Sequence, residues 1–186
     1  MFYQPKVLLG LVLSVYIHQA GNLNKVLLEP NLQSRLLEQL EVTISTLFSK
    51  TQNGKLTTIC TEFEALLLLL DCLLRCGRQF EEVPFVSMLQ EIIQDAALTK
   101  EITRVIRSAV LAVPAFGDDG AFRLWVIQSL KCDCLVPQLR LLLASHAPQT
   151  AYLPNAPLPQ IGHEVISLLA TNFEANSLFF TPCFRR

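Results

Sequence analysis

The chain has 186 residues, about the size of one domain and long enough to bury a sizeable core. Hydrophobic residues make up 51% and charged ones 17%, which excludes a disordered chain, while the apolar stretches are too interrupted for a multi-span membrane protein. A formal net charge of −1, with no long run of like charge, lacks the basic footprint that phosphate-backbone binding needs, so nucleic acid is not an expected partner.

Residues 1–30 stand apart as a hydrophobic N-terminal segment. Lys6 followed by an apolar run from Val7 to Ile17 has the layout of a signal peptide. His18 would sit just upstream of a cut after Ala20, where a small residue is wanted, and the run is too short to span a bilayer. The segment therefore reads as a core helix or a docked amphipathic element, with a secretory signal or membrane-surface anchor as the other readings. No N-x-S/T acceptor occurs in the chain.

Residues 31–175 carry helical periodicity. Leu32, Leu36, Leu40, Ile44, Leu47 and Phe48 trace one helix face, and Asn53-Gly54 marks a turn after it. The next segment is amphipathic through Ile59, Phe63 and Leu67, then apolar all round from Leu66 to Leu70, the pattern of a helix at the centre of a bundle; Gly77 is its expected stop. Pro84 suits the first turn of a helix with the face Phe85, Met88, Leu89, Ile92 and Ile93. Ile102, Val105, Ile106, Ala109 and Val110 mark another, closed by Pro114.

Beyond it lies "DDGAFRLWVIQSL", Asp118 to Leu130, with the only tryptophan of the chain. Asp133 is the expected cap of a following helix, in which Pro137 falls early enough to be tolerated. Four prolines between His146 and Gly162 predict a loop, and a last helix is expected over His163 to Phe173. Residues 176–186 read as a tail. With no β alternation and no internal repeat, the expected fold is all-α, a single globular domain of about seven or eight helices.

The six cysteines, Cys60, Cys72, Cys76, Cys132, Cys134 and Cys183, are not needed to staple a core of this size and read as buried thiols in a reducing compartment; a secreted chain would allow three disulfides. Cys72 and Cys76 share a helical face and Cys132 and Cys134 are two apart, but no histidine completes a zinc-ligand pattern, so no metal is expected. There is no nucleophile elbow, phosphate loop or H-E-x-x-H. His18, His146 and His163 read as helix-end or loop residues, and Glu62 and Glu64 point to different faces of one helix. No catalytic residue and no cofactor is expected.

The candidate partner-binding residues are Lys100, Arg104 and Arg107, which recur at helical spacing opposite the Ile102 stripe. They read either as a solvated helix face or as a basic ridge that steers an acidic partner.

The run from Asp118 resembles the signature of the RUN domain family. Asp118, Gly120, Arg123, Trp125 and Leu130 fit it without a gap, Leu135, Leu139 and Leu142 continue it, and Tyr152 stands where a family aromatic usually ends the segment. An upstream block, "ICTEFEALLLLL", is similar to the RUN helix that carries Cys60, Phe63, Glu64 and Ala65; where that family places a small polar patch with a glycine, this chain has Leu69, Leu70 and Asp71. The resemblance covers Leu32 to about Phe173. It implies a RUN-like helical adaptor that binds small GTPases of the Rab, Rap or Arl type in endosomal or autophagic vesicle traffic. It further implies a cytoplasmic setting and peripheral membrane association through partners, and the likeness of the run from Leu124 to Leu143 to one autophagy-regulating member of that family implies contact with the class III phosphatidylinositol 3-kinase complex. A secreted helical signalling protein with disulfides is the alternative. The motif residues are expected to be structural, with Arg123 reaching Glu64 as a bidentate, partly buried pair whose rupture would cost about 3–5 kcal/mol.

Overall fold

In the computed structural model the described residues are 31–49, 55–56, 61–93, 100–174 and 179–180. They are mostly helical: α1 (Leu32–Ser49), α2 (Thr61–Arg75), α3 (Phe85–Ile93), α4 (Lys100–Lys131), α5 (Leu135–Ala144), α6 (Ala147–Thr150) and α7 (Pro157–Leu169), with a π-helical turn, Ala170–Glu174, ending the last. One two-residue parallel pairing, Lys55–Leu56 with Phe179–Phe180, lies beside them. The expectations for residues 1–30, Asn53-Gly54, Cys60 and Cys183 lie outside the described residues.

The apolar stripes set the packing. Leu36, Leu40, Ile44 and Leu47 of α1 are buried, as are Phe63, Leu66, Leu67, Leu69 and Leu70 of the leucine-rich α2. Helix α2 touches α1, α7 and α4, the central position expected of a helix apolar on most of its circumference. Helices α1, α2 and α7 form one group and α3, α4 and α5 another, joined through the α2–α4 and α5–α7 contacts over one continuous core. No helix among the described residues is long and apolar enough to cross a membrane.

Three boundaries differ from the sequence reading. Pro114 does not close its helix but lies inside α4, and the break comes at Gly117, with φ 68° and ψ −177°. A straight helix would hold residues 104 and 132 about 42 Å apart. Instead, Arg104 Nη2 lies 3.6 Å from Cys132 Sγ, and Gln128 Nε2 donates to Ser108 Oγ at 3.3 Å. Helix α4 is therefore a hairpin whose arms, residues 100–116 and 118–131, run back along each other. The proline removes one helical donor a single turn before the reversal, where the ladder ends anyway.

Asp133 does not cap α5. It adopts φ 49°, Cys134 N–H donates to Ser129 O at 2.9 Å and Asp133 N–H to Leu130 O at 3.3 Å, the bonding of a left-handed C-terminal cap on α4. Position 133 closes the helix before it instead of opening the next, and Cys134 precedes α5 without a side-chain cap. The proline-rich stretch is likewise not all loop. Ala147–Thr150 is a turn of helix, and α7 begins at Pro157, six residues ahead of the expected His163, because prolines in a first turn forfeit donors that have no acceptor there.

Gly117 has the extended, positive-φ conformation that is almost confined to glycine. Gly117→Ala is expected to lower unfolding stability by about 1–3 kcal/mol, read as a shift in urea midpoint with unchanged slope. An unmoved midpoint would show that the hairpin turn is unstrained.

Candidate partner-binding site

The α4 hairpin is held to the rest of the molecule by its own tip. Asp118, the first residue after the reversal, accepts the Phe85 N–H at 2.9 Å, so it caps the start of α3 from across the fold. Its other oxygen lies 2.9 Å from Arg75 Nη2 and 3.7 Å from Arg78 Nη2. Arg75 also pairs with Asp71 at 2.7 Å and Asp119 at 2.7 Å. Burial disfavours the Arg75 charge, but the carboxylates of Asp71, Asp119 and Asp118 outweigh it and raise its pKa. The Arg78 side chain is only 3% exposed; its Nη1 donates to Val83 O at 2.8 Å, while its Nε has no hydrogen-bond partner. Gly120 is needed close by, since a Cβ there would lie 2.5 Å from the Phe116 Cβ.

Behind the tip, Phe85, Phe122 and Trp125 stack edge-on or tilted with centroids 5.3–5.7 Å apart, and Arg75 lies 5.5 Å from the Phe122 ring centre. Trp125 is fully buried, and its Nε1 donates to Gln138 Oε1 at 2.7 Å. Gln138 Nε2 in turn donates to Ser129 Oγ and Cys134 Sγ, both at 3.0 Å. Phe63 and Leu130 are also core residues. Tyr152 donates its buried hydroxyl to Leu74 O at 2.6 Å, satisfying a carbonyl in the last turn of α2. Burial pushes the Tyr152 phenol well above its ordinary range, against a smaller downward pull from Arg78.

Arg123 and Glu64 do meet, at 2.6 Å from Nη2 to Oε1, but through one pair of atoms, and the side chains are 46% and 42% exposed. The expected bidentate, partly buried bridge is thus corrected to an exposed one. Residue 123 lies on the outer side of the second arm, where both groups keep much of their water, so the pair contributes at most about 1 kcal/mol. The buried-pair cost applies instead around Arg75 and Arg78, which the sequence reading did not single out. Their signal was two arginines in the last turn and stop of a leucine-rich helix, facing an acidic pair more than forty positions away.

Among the described residues no group of three His, Cys, Asp or Glu side chains is placed to hold a metal ion, and Cys72, Cys76, Cys132 and Cys134 are free thiols. His146 precedes α6, and His163 lies exposed on α7.

On the outer face of the first arm, Lys100, Arg104 and Arg107 are all exposed, opposite buried Ile102, Val105, Ile106 and Ala109. No carboxylate pairs with these three cations among the described residues; Arg104 meets only the Cys132 sulfur. The same helical stripe continues into Leu111, 73% exposed, and exposed Pro114, with Phe116, 69% exposed, at the hairpin tip. The surface is therefore cationic along one half and apolar at the other. Leu111 was missed in sequence because a leucine in a helix is assumed to join the buried stripe; its register, four after Arg107, places it with the cations.

No family model, curated protein or solved structure matches the chain.

Asp118→Ala is expected to cost about 2–4 kcal/mol, the loss of a helix cap plus a partner of a buried guanidinium, whereas Arg123→Ala costs under about 1 kcal/mol; urea unfolding of both variants checks the ranking. A group whose folded pKa is raised stabilises below its unfolded pKa and loses that contribution as pH rises. Tyr152 should therefore make stability fall as pH climbs past about 10, and Tyr152→Phe should flatten that alkaline slope while lowering neutral stability by about 1–3 kcal/mol. A wild-type alkaline slope retained in the variant would assign it to other groups.

Proposed function

We propose that the chain is a non-catalytic, RUN-like adaptor domain that binds small GTPases of the Rab, Rap or Arl type in endosomal or autophagic vesicle traffic. The observation that carries this reading is the exposed stripe of Lys100, Arg104, Arg107 and Leu111 on one arm of the α4 hairpin. Unpaired cations raise the rate at which an acidic partner docks and fix its orientation, and an exposed leucine at the end of the stripe supplies apolar area to bury once it has docked. A rigid helix face held on a packed hairpin loses little conformational freedom on binding, which favours a recognition surface.

Two motif residues, Trp125 and Asp118, support the reading from behind together with the side chains packed on them. Trp125, Gln138, Phe122 and Phe85 fix how α4 packs, and Asp118 locks its tip to α2 and α3, so these residues hold the ridge in place without touching a partner. The run from Leu124 to Leu143 also resembles that of Rubicon, a RUN-family regulator of autophagy and endosome maturation. That likeness suggests the class III phosphatidylinositol 3-kinase complex as a further partner and late endosomes or autophagosomes as the setting, reached from the cytoplasm through partners. No cofactor is needed, since any nucleotide belongs to the GTPase.

The test is a binding panel of the folded chain against Rab, Rap and Arl proteins, each loaded with a GTP analogue or with GDP. Preference for a GTP-loaded member is expected, with Arg104→Glu and Arg107→Glu each weakening it roughly tenfold and flattening or inverting its salt dependence. Silence across the panel, or binding untouched by both reversals, would remove this reading of the ridge.

A further inference from the structure

The C-terminal end of α2 carries two thiols: Cys72, packed at the edge of the core, and Cys76, just past the last turn. Cys72 and Cys76 are four residues apart on one helical face, and both are partly exposed. Asp71 and Glu81 lie near enough to disfavour a thiolate at Cys76. We propose that Cys72 and Cys76 form a reversible dithiol–disulfide site that reacts with small-molecule disulfides of the glutathione type, Cys76 attacking and Cys72 resolving.

The geometry divides the two roles. Cys76 lies just past the end of α2, on the exit of the helix, whereas Cys72 is a full turn inside it. Interaction between the two thiols raises the Cys72 pKa, with burial adding to the rise, and lowers that of Cys76, where burial opposes it. Cys76 is therefore the thiol that ionises first. Its thiolate attacks one sulfur of glutathione disulfide, the S–S bond breaks, and one glutathione leaves as thiolate. Cys72 then loses its proton and attacks the Cys76 sulfur, forming the Cys72–Cys76 bond and releasing the second glutathione. Two electrons pass to the glutathione disulfide, and the two protons released from the cysteines end on the glutathione thiols.

Helical spacing puts Cα atoms four apart at about 6 Å, inside the roughly 4.4–6.8 Å range of disulfides, but leaves the Cβ atoms about 1.5–2 Å farther apart than a disulfide prefers. The last turn must therefore yield. It is built to do so: the Cys76 N–H reaches Cys72 O at a long 3.3 Å, and Gly77, with φ 75° and no side chain, follows. A bond that forms only by distorting a helix end is readily reduced, which suits a switch better than a staple. The distortion would be felt at once by the neighbouring Leu74 carbonyl that Tyr152 holds and by the Gly77 carbonyl that accepts the Leu153 N–H at 2.8 Å.

The full chain is equilibrated in glutathione buffers of graded oxidation, alkylated, cleaved with trypsin and mapped by mass. Arg75 and Arg78 lie on either side of Cys76, so a Cys72–Cys76 disulfide tethers the tripeptide Cys76–Gly77–Arg78 to the peptide ending at Arg75. That tethered species is expected to appear with oxidation and vanish on reduction. In Cys72→Ser it is lost and glutathione stays on Cys76; in Cys76→Ser neither residue 72 nor 76 gains glutathione. The proposal is overturned if wild-type Cys76 is alkylated to the same extent in every buffer, if the tether persists in Cys72→Ser through Cys60, or if Cys76→Ser acquires glutathione at Cys72. Fragmentation of the wild-type tethered species, which places the crosslink at Cys72 or at Cys60, decides the matter even should a serine variant fail to fold.

Discussion

The fold depends on the contact between Arg75 and Asp118. One carboxylate completes the start of α3, neutralises a guanidinium at the end of α2 and faces a second, nearly buried one at Arg78. Three elements distant in sequence thus meet at a single charged node. Charges removed from water are tolerated only when paired and hydrogen-bonded. The node meets that condition on the carboxylate side, where Asp71 and Asp119 add further partners for Arg75, and it leaves one gap at Arg78 Nε. The flat guanidinium faces over Phe122 and Phe85 recover part of the desolvation cost, at 5.5 and 5.9 Å from the ring centres.

What the node fixes is the angle of the α4 hairpin. The reversal at Gly117 is a single residue, so the two arms stay in register: Arg104 stands beside Cys132 and Ser108 beside Gln128. The inner faces supply Ile102, Val105, Ile106 and Ala109 from one arm and Phe122, Trp125 and Val126 from the other. The outer face of the first arm is thereby fully committed to solvent, cations along most of it and Leu111 near the tip.

Much of this was legible in the sequence. The faces of α1, α2, α3 and the first arm of α4 followed from period alone, because apolar side chains at three-to-four-residue spacing have only one way to be buried. The proline-rich stretch misled because proline opposes helix interiors and favours helix starts, and composition does not tell the two apart. Asp133 misled for a related reason: a short polar residue suits the beginning of a helix and also tolerates the left-handed conformation that ends one. The Arg123–Glu64 contact was foreseeable as a pair but not as an exposed one, since burial depends on which flank of the hairpin faces outward. Arg78, Gln138 and Leu111 required the tertiary structure; two are polar residues at buried positions and one is an apolar residue at an exposed position, against the usual sorting.

The link from Tyr152 to the Leu74 carbonyl spans 78 positions, and the backbone bonds from Leu153 to Gly77 and from Gln79 to Ala151 span nearly as many. Helix α2, leucine-rich and buried along most of its length, is therefore translated well before the chain that finishes its C-terminal end. During synthesis its leucines and its last carbonyls must wait, exposed or held by α1, until residue 153 has left the ribosome. Loop-closure entropy over such a separation is incurred before the contact returns anything. The α2 end is accordingly where a nascent or truncated chain would be most prone to aggregate, and where a chaperone would find its longest-lived apolar target.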